Sequence, residues 1–152
     1  MRKLDFADLK NIYEYEKVRD GYRARIIELK KHRRVSVGPK MSFVFENRDT
    51  IAFQIQEMMR VERIVKDEAV AEELEVYNQL LPDAGELSAT LFIEIEDQAV
   101  IRQELLGMLG LDESNVVTLV ISGEHVVPVQ FETGRSKEDK ISAVHYVRFA
   151  FS

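Results

Sequence analysis

The residues best suited to chemistry in this chain are carboxylates. Glu94 and Glu96 fall on one face of a predicted strand, with Asp97 beside them, which sets two carboxylates roughly 6 to 7 Å apart. Such a pair binds a hard cation or divides acid and base roles. With His145 it would make a metal site, and Glu57 with Glu62 is a second acidic pair. The competing reading is a solvated strand face running into a helix cap at Asp97. His145 is in phase with an apolar face, where a neutral, hydrogen-bonded core histidine is the usual outcome. None of the three histidines lies in H-E-x-x-H or E-x-x-H, no serine lies in G-x-S-x-G, and no glycine-rich phosphate loop occurs. A metal-dependent enzyme or metal binder therefore stands as an alternative.

A second candidate is cationic. Between two apolar segments sits the knot Glu46-Asn47-Arg48-Asp49-Thr50, followed by Gln54, Gln56, Glu57, Arg60, Glu62 and Arg63. Arg48 and Arg60 place positive charge in an otherwise acidic stretch and could meet an anion or an acidic protein partner. The competing reading is that Arg48 fixes a turn by a bidentate pair with Glu57 or another acid. Upstream, Lys30, Lys31, His32, Arg33 and Arg34 end a helical pattern, where cations complement the helix dipole. Together with Arg23 and Arg25 they admit a nucleic-acid reading, which the lack of interleaved aromatics disfavours.

Charge distribution sharpens this contrast. Residues 1–40 carry 12 basic and 6 acidic side chains, and residues 41–152 carry 9 and 21, within a net charge of −6. A basic arm can lie on its own acidic body, on a second subunit, or on an acidic partner. Cysteine is absent, which removes disulfides, thiolate metal sites and a cysteine nucleophile. No cofactor is expected. No apolar run approaches the ~18 residues of a membrane span, and no hydrophobic segment follows the first basic residues, so a cytoplasmic protein is expected.

The elements that must position these residues follow from periodicity. Asp5 to Arg34 reads as helix, with Phe6, Leu9, Ile12, Tyr13, Val18, Tyr22, Ile26 and Leu29 in its stripe and a break expected at Asp20-Gly21. Arg34 to Val37 and Lys40 to Glu46 read as strands about a Gly38-Pro39 turn. The next segment is ambiguous. A helix from Thr50 leaves Phe53 on the polar side and Glu62 in the apolar stripe. A hairpin with Asn47-Arg48-Asp49 as its turn, pairing Phe45 with Ile51 and followed by a helix near Gln56, avoids both conflicts and is preferred. Asp67 is expected to cap a helix carrying Val70, Leu74, Tyr77, Asn78 and Leu81. Leu87 to Glu96 is expected as a strand, Asp97 as the cap of a helix ending at Gly110, and Val116–Ile121 with Val126–Phe131 as a hairpin looped at Gly123-Glu124-His125. A last strand carries Ile141, Ala143, His145, Val147, Phe149 and Phe151 on one face. The fold class is α+β: an N-terminal helical segment, antiparallel hairpins and helices, and a C-terminal antiparallel sheet packed on a helix. The chain reads as one domain, 1–152, with a seam at Asp83-Ala84-Gly85 between halves 1–82 and 86–152.

The stretches FENRDT, FQIQEMMRVERI, YNQLLPDAGELSATLFIEIE and HYVRF together resemble, over nearly the full chain, the uncharacterised bacterial domain-of-unknown-function family 3501. The resemblance brings no activity and no catalytic residues. Members are encoded beside rubrerythrin-like and iron–sulfur oxidoreductase proteins, which implies an accessory role in redox or oxidative-stress metabolism. The expectation is a non-catalytic interaction protein that forms a homo-oligomer, with Arg48, Arg60, Lys30, Lys31, Arg33 and Arg34 as the partner-binding residues.

Overall fold

Asn47 opens a helix rather than turning a hairpin. Its side chain accepts a hydrogen bond from the Thr50 backbone N–H, and the Thr50 hydroxyl accepts one from the Asn47 N–H, each at 2.9 Å. This reciprocal box satisfies two donors that a helix start otherwise leaves orphaned. The Thr50 hydroxyl also donates to the buried Glu46 carboxylate. Helix α2 therefore runs Arg48–Glu62, and the expected pairing of Phe45 with Ile51 does not form.

The two conflicts that argued against this helix have physical resolutions. Phe53 faces a neighbour rather than solvent, stacking on Tyr22 of the preceding helix with centroids 5.8 Å apart. Glu62 is exposed in the last turn, beyond the buried series Ile51, Ile55 and Met59.

The computed structural model describes residues 1–95, 99–107, 117–131 and 143–151. Two compact units emerge, one of Met1–Arg33 with Glu46–Ala84 and one of Arg34–Phe45 with Gly85–Ser152. The first begins with a 3-10 turn, Phe6–Asp8, and helix α1, Ile12–Lys31. Helix α1 passes through Gly21 without the expected break. Glycine inside a helix costs ~1 kcal/mol relative to alanine, and the buried Tyr15 and Ile26 on either side dock the helix well enough to offset that. Helix α3 is Asp67–Asn78. Asp67 is its first residue rather than its cap, and Lys66 in the cap position makes no side-chain cap bond. The core gathers Leu4, Ile51, Ile55, Met59, Val70, Leu74, Tyr77 and Leu81 around α2. Truncating one such buried aliphatic costs about 2–5 kcal/mol, far more than any exposed ion pair of this unit contributes.

The second unit is built on an antiparallel five-stranded sheet. Its strands are β1 Arg34–Val37, β2 Met41–Phe45, β3 Glu86–Ile93, β6 Gln130–Phe131 and β7 Val144–Ala150, in the order β1-β2-β3-β7-β6. The β1–β2 hairpin thus lies in this unit, paired to β3 with Phe43 opposite Leu91. Strands β4 Thr118–Ile121 and β5 His125–Pro128 form a separate two-stranded sheet. Its loop is Ser122-Gly123-Glu124, with Ile121 opposite His125, so His125 begins a strand instead of sitting in the turn. The turn needs two left-handed residues, Ser122 at φ 54° and Gly123 at φ 75°, which draws the loop one residue earlier than expected. Pro128, unable to donate to a ladder, ends β5, and the chain then joins β7 as β6. Phe43, Ala89, Leu91, Val147 and Phe149 form the sheet's apolar face and pack with Val127 and Val129. Helix α4 is Ile101–Gly107. Asp97, Gly110 and the loop at residues 133–140 lie outside the described residues.

The end of α2 generates a stability prediction. Arg63 is left-handed, at φ 55° and ψ 43°, while the Ile64 N–H closes back on the Met59 carbonyl at 2.9 Å. That conformation suits glycine and strains a residue carrying a Cβ. Arg63→Gly at this exposed position is expected to raise the unfolding free energy by about 0.5–1 kcal/mol, read as a higher urea midpoint at unchanged slope.

Candidate functional site

The polar residues flagged by the sequence converge on the N-terminal segment and α1. The Arg48 Nε donates to the Arg2 carbonyl at 2.8 Å, and its Nη2 donates to the Lys3 carbonyl at 3.5 Å and to Asp8 Oδ2 at 2.9 Å. Its partner is therefore Asp8 and not Glu57. The backbone N–H of Asp5 donates to Asp8 at 2.9 Å. That bond, followed by Arg48 and Arg2, holds the Asp8 carboxyl below the usual aspartate range.

Glu57 is held from α1. The Arg19 guanidinium donates Nε to Oε1 at 2.9 Å and Nη2 to Oε2 at 3.0 Å, and the Tyr15 hydroxyl donates to Oε1 at 2.6 Å. Three donors on one carboxylate stabilise its charged form. The Arg19 bonds, with Tyr15 and the charge of Arg60 acting in the same direction, depress the Glu57 pKa against the effect of burial. Burial first, then the bond to Glu57, pushes the Tyr15 hydroxyl above its ordinary range. Arg60 pairs with Glu16.

Two amides complete the arrangement, and neither was singled out as a clamp from sequence. Gln56 accepts from the Lys10 N–H at 2.6 Å and donates to the Lys10 carbonyl at 2.9 Å. Asn78 does the same for Leu4, at 2.8 and 2.9 Å. Each amide satisfies one residue's backbone donor and acceptor, as a neighbouring strand would. The only sequence trace of these clamps is a polar residue in or beside each helix's apolar stripe.

The basic cluster divides its work. Lys30 lies over the Phe53 ring at 5.6 Å, Lys31 pairs with Glu28 at 2.7 Å, and Arg33 donates to the Glu46 carbonyl at 3.2 Å. Arg34 donates to Ser42 Oγ at 3.0 Å, pairs with Glu94 at 3.5 Å and lies over Phe92 at 5.6 Å. Arg25 rests on the Tyr22 ring at 5.0 Å.

Glu94 and His145 do not come together. Strand alternation puts Glu94 with Phe92, on the side of Arg34. His145 is opposite Leu91 on the other face, fully buried, with the Phe131 ring edge-on at 5.6 Å. Glu96 lies outside the described residues. Among the described residues no group of three metal-ligating side chains could hold an ion, and no helix is long and apolar enough to cross a membrane.

One concave surface is not filled by these networks. Val35, Val37, Met41, Phe43, Phe45 and Phe149 of the five-stranded sheet, walled by Val117 and Leu119, line an apolar groove of about 290 Å³. The groove opens at β1, whose four residues are all exposed and which pairs only with β2 among the described residues. Val35 and Val37 are 50% and 45% exposed.

These features define an α+β protein whose charged residues largely serve its own packing. The chain belongs to the family described as Protein of unknown function (DUF3501), which matches residues 3–152. It is similar to a novel protein of unknown function from Burkholderia pseudomallei, known from a crystal structure, with a TM-score of 0.90, 34% identity, and coverage of 99% of this chain and 78% of that one. No curated protein matches it.

The depressed carboxyls set a pH dependence. A group whose folded pKa lies below its unfolded value contributes stability above the unfolded value and loses it as pH falls through the folded one. Stability is expected to be level above about pH 5 and to decline on acidification. Glu57→Gln should lower stability at pH 7 and flatten the acid decline, as measured by urea unfolding at a series of pH values.

Proposed function

We propose that the protein is a non-catalytic interaction protein, acting as a cytoplasmic homo-oligomeric accessory in a redox or oxidative-stress system. The single observation that carries this reading is the edge of β1, which pairs only with β2 among the described residues, beside the apolar groove. An unpaired edge presents a row of backbone donors and acceptors that templates another strand. A groove alongside supplies pockets for alternate side chains of an added extended segment, the mode of β-augmentation. Exposed Val35 and Val37 would gain burial from such a segment.

The redox setting follows from the family resemblance, whose members are encoded beside rubrerythrin-like and iron–sulfur oxidoreductase proteins. A chain without cysteine has no thiolate with which to hold an iron–sulfur cluster. That composition suits an accessory more than a carrier. Arg34, which is 42% exposed at one end of β1, offers an acidic partner a cation at this edge.

The test is affinity capture with the native protein and Val37→Asp, followed by mass spectrometry. A rubrerythrin-like or iron–sulfur protein should be retained by the native chain and lost with Val37→Asp, which puts an unpaired carboxylate in the groove. Equal retention by both proteins removes the groove from the reading. Capture restricted to proteins without redox centres removes the redox setting.

A further inference from the structure

We infer that the outer face of α1 is the surface through which two copies of this chain associate, as an antiparallel helix pair. This rests on the homo-oligomeric part of the reading above and names its surface. Of the twenty residues Ile12–Lys31, only Tyr15 and Ile26 are buried. On the side turned away from α2, the residues Glu14, Lys17, Gly21, Ala24, Glu28 and Lys31 are all exposed. Their spacing alternates three and four, which keeps them in one seam along a single face of the helix.

Charge order along the seam selects a second copy running in the opposite direction. Glu14 pairs with Lys17 at 3.4 Å and Glu28 with Lys31 at 2.7 Å, in both cases with the acid first. Four side chains that remain 52% to 66% exposed in these pairs are weakly committed to each other. A two-fold axis perpendicular to the helix between Tyr22 and Arg23 sets Glu14 against Lys31 of the second copy and Lys17 against its Glu28. Each exposed pair then becomes half of a network of four alternating charges. In a parallel, in-register pair every residue would meet its own copy, acid against acid and base against base.

The same axis sets Gly21 against Ala24 of the second copy at the centre. A Cβ added to Gly21 would meet nothing within 4 Å, so no contact among the described residues accounts for a glycine at this position. A helix backbone drawn up to that point does. Exposed Val18 and Ile27 lie on the two flanks of the seam, and Tyr13, 71% exposed, lies at its end.

The experiment is solution mass by light scattering at low ionic strength. The native chain should have twice the 17.6 kDa of one copy, about 35 kDa, falling toward one copy as salt screens the seam. Lys17→Glu with Lys31→Glu makes the seam uniformly acidic, and Glu14→Lys with Glu28→Lys makes it uniformly basic. Each double variant should be monomeric alone, and a one-to-one mixture should regain the mass of two copies. Gly21→Leu, at an exposed position with open space around it, should keep its helical circular dichroism and lose the dimer. A monomeric native chain, dimeric charge variants, or a mixture that stays monomeric overturns the inference. Dimers that survive all of these changes place the interface elsewhere and leave homo-oligomerisation standing. Partner capture through the β1 groove is read separately with Val37→Asp.

Discussion

The first unit depends on one carboxylate. Glu57 receives two bonds from Arg19 and one from Tyr15, and through them α1 is fixed in rotation and register on α2. Hydrophobic contact alone would leave that rotation loosely specified, because α1 offers only two fully buried side chains. Directional bonds to a charged acceptor are stronger than neutral ones and restrict geometry as well. Once α1 is seated this way, the Tyr22–Phe53 stack and the burial of Ile26 follow on its inner side. The charged seam is turned outward by the same constraint.

The N-terminal segment is held by the same logic with weaker groups. Its backbone is read by Gln56, Asn78 and Arg48, while Leu4 enters the core. Polar side chains that would suit a binding site on an exposed surface instead satisfy backbone groups that packing would otherwise strand. The second unit differs. Its sheet face is apolar and partly covered by the β4–β5 hairpin, and the part left uncovered among the described residues is the groove at β1. The surfaces left for the proposed contacts are an apolar edge in one unit and a charged helix face in the other.

Much of the architecture is legible in the sequence because it is periodic. The β1–β2 hairpin with Gly38 in its turn, the helix after residue 66, though it stops at Asn78 rather than carrying Leu81, and the alternation that buries His145, Val147 and Phe149 are each written in spacing of two or of three and four. The start of α2 misleads because Ile51, Phe53 and Ile55 satisfy both periods. The deciding facts, a capping box at Asn47 and an aromatic partner for Phe53 on α1, are respectively local and tertiary. The capping partner Thr50 stands three residues after Asn47 and is available as a signal. The stack with Tyr22 is not, since nothing in a single chain states which two helices adjoin. The same limit applies to Arg48, whose acid in space, Asp8, lies forty residues away in the chain. The expected grouping of Glu94 with His145 fails on parity: one is even and the other odd in a register that pairs odd with odd.

The charged residues of α1 and α2 act on each other as a structural unit, and the seating of α1 rests on that. A double-mutant cycle on Arg19 and Glu57, with Arg19→Gln, Glu57→Gln and the pair of changes together, measures this directly by urea unfolding at pH 7. The expected result is strong coupling, with the double variant scarcely less stable than either single one. Losses that simply add would mean that the two side chains contribute independently, and would contradict the structural role of the Glu57 contact.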